Sequence, residues 1–392
     1  MRLRTQEKTG RFSNSACYLS LFLLGVYLSV YQSVIGDVAA DYKLSAGLTG
    51  LMISFHFLGS FLLPVLLGET GDHIGTRPVI ILSFLMMISG LALVMVSRVP
   101  YVFLLATLLI GGGFAVIEGM LSGLLAVANP GRVNAVLNLS QMYFCLGAVG
   151  GPFVALGMRK TTLGWRGNYL MLLLLFTAGL IWLTRQHLPP YKTAKIKGLY
   201  LKKLLQDRGF VVPLVALFLD VGVEEGAAFG VTGKIAQTVT TALPAAFFLS
   251  AYWLGMAIGR WLFSFLRGRF NTFLITGLVF AGVFISLFLL TSQAGWSLAW
   301  LFLTGFGFAP AWPVLMMHAT VRGEQSTNTA MGAMMALGAA GCMALPLLVG
   351  QLTDLFGMER AMLLLIVLVV ALVSLLLAGG RTAGSVQTTQ DS

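Results

Sequence analysis

Apolar residues run through this chain in blocks instead of alternating with polar ones. Runs of about 20 nearly uncharged residues recur along its length, each long enough at the helical rise to cross about 30 Å of hydrocarbon. Cutting the sequence at charged or Gly/Pro breaks predicts spans near 16–36, 46–67, 78–97, 101–127, 134–157 and 166–184. A second set follows near 211–232, 245–266, 272–291, 296–317, 327–350 and 361–379. The expected fold is an all-α membrane protein: twelve transmembrane helices in two pseudo-symmetric six-helix bundles. Residues 1–184 and 211–380 hold the bundles, 185–210 a cytoplasmic linker, and 381–392 a polar tail expected to be disordered. The first run has no small-residue cleavage site after its core, so it reads as a retained helix and not a signal peptide.

Composition narrows the class. Of 392 residues 57% are hydrophobic and 10% charged, against about 25% charged in soluble domains. The net charge of +11 would suit a nucleic-acid partner, but cations in a polytopic protein collect in cytoplasmic loops. With the N-terminus inside, 17 Lys/Arg fall on cytoplasmic segments, 7 on external ones, and Arg260 within a span. Both termini are thus expected in the cytoplasm, with the chain in the inner (plasma) membrane. The external loop with Arg159, Lys160 and Arg166 runs against the rule. The linker follows it: Arg185, Lys192, Lys195, Lys197, Lys202, Lys203 and Arg208 face one acid, Asp207, after the Pro189-Pro190 pair. Cys17, Cys145 and Cys342 fall in apolar spans without CxxC spacing and read as packing residues.

Charged groups inside hydrocarbon are costly, roughly 2.5–3.5 kcal/mol each for an acid on insertion scales, and mark function by default. Glu118 lies deep in span 4 after a glycine run, without a base nearby in sequence, and is suited to carrying a proton. A structural acid bonded to a neighbouring helix is the alternative. In span 7, Asp220 and Glu224 are four apart and share a helix face while Glu225 turns away. Two like charges at that spacing disfavour joint ionisation, so one carries a proton or pairs with a cation such as Arg260 or Lys234. Glu225 could instead lie near the external mouth as a gate residue, and coupling and a plain structural role fit equally well.

Neutral polar and aromatic groups add candidate substrate contacts: Tyr27, Tyr31 and Gln32 in span 1, His56 in span 2, Asn138, Ser140 and Gln141 in span 5. Each could instead bond helix to helix, as polar residues commonly do in membranes. Tyr252, Trp253 and Trp312 offer faces on which sugar rings or drug-like molecules stack. Pro310, Pro313 and Pro346 mark helices expected to kink. The Gly119/Gly123 and Gly255/Gly259 pairs permit close helix contact.

The segment after span 2, from Gly68 through Asp72, His73, Gly75 and Arg77 to Pro78, resembles the GxxxDRxGRR loop of the major facilitator superfamily, with His73 in place of an arginine. Asp72 and Arg77 are gate candidates, an acid and a base that pair or cap helix ends in one of two states. Within that superfamily the chain resembles the fucose/galactose/glucose proton symporters. The resemblance is carried by the run ending in Glu118, Asn138 to Gln141 with Gly147-Ala148, Asp220 to Glu225, Tyr252 to Arg260, and Leu345 to Asp354. It implies proton coupling through Glu118 and a sugar substrate. Gln32 falls where the fucose-carrying branch has an aspartate, which argues against fucose itself.

The expected function is secondary active transport by alternating access: proton-coupled symport of a small hydroxylated solute such as a sugar. Glu118, Asp220, Glu224 and Glu225 are the coupling candidates, and Arg260 joins Asp72 and Arg77 as a gate. The alternative is a proton-coupled exporter of drugs or metabolites, which the 18 methionines and 27 phenylalanines favour. Expected partners are the solute, protons (sodium being the rival ion) and membrane lipid, with the chain a monomer. No cofactor or metal is expected. The sequence has neither an HExxH pair nor a GxSxG turn nor a phosphate loop, so an enzyme is not expected.

Overall fold

The computed structural model describes residues 14–44, 46–186, 200–238, 243–323 and 326–380. Pro189-Pro190, Lys192, Lys195, Lys197 and the tail 381–392 lie outside them, as do the side chains of Lys234 and Pro346. The first bundle comprises α1 (Ser15–Asp41), α2 (Ala46–Ile74), α3 (Thr76–Val96), α4 (Pro100–Ala128), α5 (Val133–Met158) and α6 (Trp165–Arg185). After the short α7 (Tyr200–Leu204), the second comprises α8 (Arg208–Thr238), α9 (Ala245–Phe263), α10 (Phe270–Leu289), α11 (Ala294–Phe308), α12 (Ala311–Arg322), α13 (Thr327–Phe356) and α14 (Met358–Gly380). No strand occurs among the described residues.

Eleven stretches are long and apolar enough to span a bilayer, with α11 and α12 together forming one of them. The twelfth is α8, which hydropathy alone passes over because Asp220, Glu224 and Glu225 occupy its middle. Span 10 is broken for a local reason. Pro310 and Pro313 lack the N–H groups that would donate to the carbonyls one turn back, so α11 stops at Phe308 and α12 starts at Ala311. Outward faces carry exposed Leu66, Leu174, Phe265, Val367 and Val370, a lipid-facing belt and not a wettable surface.

The two bundles repeat one neighbour pattern. In the first, α1 packs on α5 and α6, α2 on α4, and α3 on α4 and α6. In the second, α8 packs on α13 and α14, α9 on α11, and α10 on α11 and α14. The repeat reaches single residues. A Cβ on Gly59 or Gly111 would overlap the carbonyl of Leu108 or His56 at the α2–α4 crossing; on Gly255 or Gly305 it would overlap that of Phe302 or Tyr252 at the α9–α11 crossing. Each glycine sits three residues after the carbonyl its partner meets, so His56 and Tyr252 are symmetry counterparts. The bundles meet chiefly through α2 against α13 and α5 against α9.

Several helices outrun their apolar blocks. The helix α1 continues to Asp41 and α2 to Ile74, so Gly68 and Asp72 lie on the last turns of α2 and not in a loop. The turn is confined to Gly75, whose φ of 100° favours glycine. The linker boundary also moves, since α8 begins at Arg208.

Candidate functional site

The bundles meet over a chain of polar side chains at mid-depth. Gln141 Nε2 (α5) donates to Glu118 Oε1 (α4) at 2.9 Å. Arg260 Nη1 (α9) donates to Gln141 Oε1 at 3.3 Å and to Cys145 Sγ at 2.8 Å. Its Nη2 lies 4.0 Å from Glu224 Oε2 (α8), the outer limit of an ion pair. Glu118 and Gln141 belong to the first bundle, Arg260 and Glu224 to the second, so the chain crosses between halves. Arg260 Nε also donates to Ala309 O at 3.4 Å. That carbonyl is free because its helical partner would have been the N–H that Pro313 lacks.

These groups border a central cavity of about 70 Å³, lined also by Glu225, Phe57, Phe114, Phe144, Trp253, Trp312 and Met335. Ligand pockets usually run to about 300–1,000 Å³, so the cavity must widen to take a solute. Two polar atoms on its wall, Trp253 Nε1 and Glu224 Oε2, are buried without a hydrogen-bond partner among the described residues. Glu225 Oε2 accepts a bond from Gln32 Nε2 (α1) at 2.8 Å. Gln32 in turn lines a second cavity of about 230 Å³ towards the Asp41 end, with Arg159 at its edge. The Gln32–Glu225 bond therefore separates an outer space from the central one.

Other candidates lie elsewhere. Tyr27 and His56 Nδ1 share a 3.2 Å hydrogen bond, and the Tyr31 ring lies 5.0 Å from His56. These three pack between α1 and α2, outside the cavity lining. Asn138 bonds back to Asn134, Ser140 to Leu137 O, and the Tyr252 hydroxyl to Glu224 O. Asp220 is fully buried, and neither carboxylate oxygen has a hydrogen-bond partner among the described residues.

The other end of the bundle is held shut. Asp72 Oδ2 accepts from Thr329 N at 2.9 Å and Thr329 Oγ1 at 2.6 Å, in the first turn of α13, where a negative charge suits the helix dipole. Asn328 Nδ2 donates to Thr76 Oγ1 at 3.0 Å, and Asn134 Nδ2 to Phe263 O at 3.0 Å. Gly68 and Gly332 let α2 and α13 touch backbone to backbone. Arg77 stays in its own half, donating to Thr184 O at 2.9 Å. Asp72 and Arg77 thus serve different helix ends and do not pair with each other.

Sequence reading missed the cavity's phenylalanines and Met335, which look like any lipid-facing residue in one dimension. It also missed Thr329 and Asn328, although the polar run 326–329 opening span 11 was a visible signal. The cations around the loop between α5 and α6 find their explanation here: Arg159 pairs with Asp37 at 2.6 Å and Arg166 with Asp41 at 2.7 Å.

Two bundles of six spans, closed at one end and meeting over a buried polar centre, have the architecture of a multi-pass membrane transporter. The chain belongs to the Major Facilitator Superfamily, whose family model matches residues 17–346. It is similar in structure to the Escherichia coli fucose:proton symporter, in a point variant, with TM-score 0.75 and 16% identity over 93% of this chain and 98% of that one. The same transporter, FucP, in its outward conformation gives TM-score 0.77 at 16% identity, with the same coverage of both chains. The human organic anion transporter MFSD10 (TETRAN) gives 0.74 at 18% identity over 95% of this chain and 100% of that one. No curated protein matches the chain in sequence.

Proposed function

We propose that this carrier couples movement of a small hydroxylated solute, such as a sugar, to protons through the Glu118–Gln141–Arg260–Glu224 chain. The observation that carries the reading is that this chain crosses between the bundles. Alternating access moves one bundle against the other, so those bonds must change in every cycle. A proton on Glu118 or Glu224 removes the charge that Arg260 answers and eases the rearrangement. The Trp253 and Trp312 faces together with Gln141, Glu225 and Trp253 Nε1 suit a ring with both donors and acceptors. The fold's likeness to a fucose:proton symporter agrees with this reading. Both termini lie in the cytoplasm of a cell whose plasma membrane holds the protein.

A second reading rests on the same wall. Phe57, Phe114, Phe144 and Met335 suit an apolar solute exported against protons, while three lining carboxylates against one arginine disfavour an organic anion. Proteoliposomes with an internal pH dye separate the two. Under symport, one sugar added outside acidifies the lumen, and Glu118→Gln abolishes proton movement while keeping sugar binding. Silence to all sugars with a response to amphipathic cations would overturn the sugar reading. Full proton coupling in Glu118→Gln would overturn the role of Glu118.

A further inference from the structure

We infer that the second bundle holds a site for an anionic phospholipid at its Asp72 end, between α8, α10, α12 and α14. A cavity of about 290 Å³ opens there, apart from the transport centre and larger than it. Its polar edge is formed by Arg208, Arg322, His318 and Asn271, and its apolar wall includes Leu376 and Leu377. Among the described residues no carboxylate lines it. Asp207 sits at the margin, where it caps Gly209 N at 2.8 Å and reaches Arg322 Nη1 at 3.4 Å. Arg208 has no carboxylate partner among the described residues.

The site is built, not incidental. A Cβ on Gly209 would lie 2.7 Å from the Arg322 guanidinium carbon, so with glycine there the arginine lies across the start of α8 without having to shift. His318 Nε2 lies 3.2 Å from Asn271 Oδ1, tying α12 to α10 across the opening.

The order of the lining selects the ligand. The cationic edge is at the helix ends, level with a membrane surface, and the leucines lie on α14 at the same level and below. Leu377 is 56% exposed, so the apolar side opens to lipid. A phosphate on the arginines with an acyl chain along α14 matches both, as basic pockets between spans do for lipid headgroups. A free phosphate would leave the leucine wall unused.

The test is native mass spectrometry of the full chain in detergent, titrated with phosphatidylglycerol, phosphatidylcholine of the same acyl chains, or inorganic phosphate. Phosphatidylglycerol should bind tightest. Arg208→Gln should weaken it about fivefold, Leu376→Trp, which fills the cavity, should abolish it, and Arg267→Gln at the same end should leave it unchanged. Equal binding of phosphatidylcholine, or phosphatidylglycerol binding indifferent to both Arg208→Gln and Leu376→Trp, would overturn the proposal. Displacement of the lipid by millimolar phosphate would replace it with a soluble-anion site.

Discussion

Arg260 is the residue on which the centre turns. It is 2% exposed, gathers an amide, a thiol, a backbone carbonyl and a carboxylate, and lies on the second bundle with two of those partners on the first. Removing one member of a buried charge pair typically costs about 3–5 kcal/mol because the other is left uncompensated. Arg260→Gln should therefore lower the thermal unfolding midpoint, and adding Glu224→Gln should restore part of the loss. If the double variant melts no higher than the single one, the two do not act as a pair. At this scale the sequence was informative about identity and silent about aim. Glu118, Gln141, Glu224, Glu225, Trp253 and Trp312 come to one cavity, while Tyr27, Tyr31 and His56 turn to one another. A polar residue in an apolar helix is visible one-dimensionally; the direction it faces depends on the crossing beside it.

At the scale of elements, cutting the chain at charged and Gly/Pro breaks placed a span on each of the bundle helices, α8 included despite its three acids, but misjudged their ends. Hydropathy stops at the first charge, whereas α1 continues past Asp37 and α2 past Glu69 because those charges find partners or water at the membrane surface. The proline break in span 10 was legible, since a missing N–H is a property of the residue itself. The glycine crossings were legible only as spacing. Gly305→Ala should be poorly tolerated, costing about 1–3 kcal/mol as an overpacked contact, whereas Gly295→Ala, in open space on the same helix, should be near neutral. Thermal melts of the two in one detergent decide it; equal midpoints would mean the α9–α11 crossing relaxes freely.

For the whole molecule, the balance between the two ends is the functional quantity. The Asp72 end is held by two charge-assisted bonds to Thr329 as well as by the Asn328 and Asn134 bonds. Towards the other end the Gln32–Glu225 bond stands between cavity and outer space. Hydrogen bonds to charged groups contribute about 1.5–3 kcal/mol, and 1.4 kcal/mol is tenfold in a population. Asp72→Ala should thus shift the carrier at least about tenfold towards opening at that end. Labelling rates of single cysteines placed beside Thr76 and beside Ala246 read the shift, and unchanged rates at both would remove Asp72 from the gate. The ion pairs of Arg159 and Arg166 bear on orientation. With their charge answered by Asp37 and Asp41, Arg166→Gln should leave the topology of a terminal reporter fusion unaltered.

The three acids of α8 also bear on how the chain is made. On insertion scales they oppose partitioning by roughly 8 kcal/mol together, and α8 rests on α13 and α14, which emerge from the ribosome about a hundred residues later. Until they arrive, α8 is a poor membrane segment sheltered by neither. A nascent chain halted after α10 should therefore hold α8 loosely, with a glycosylation acceptor after Thr238 modified inefficiently, and a chain extended through α14 should hold it fully. The groups that suit this helix to handle protons make it the last span to settle during synthesis.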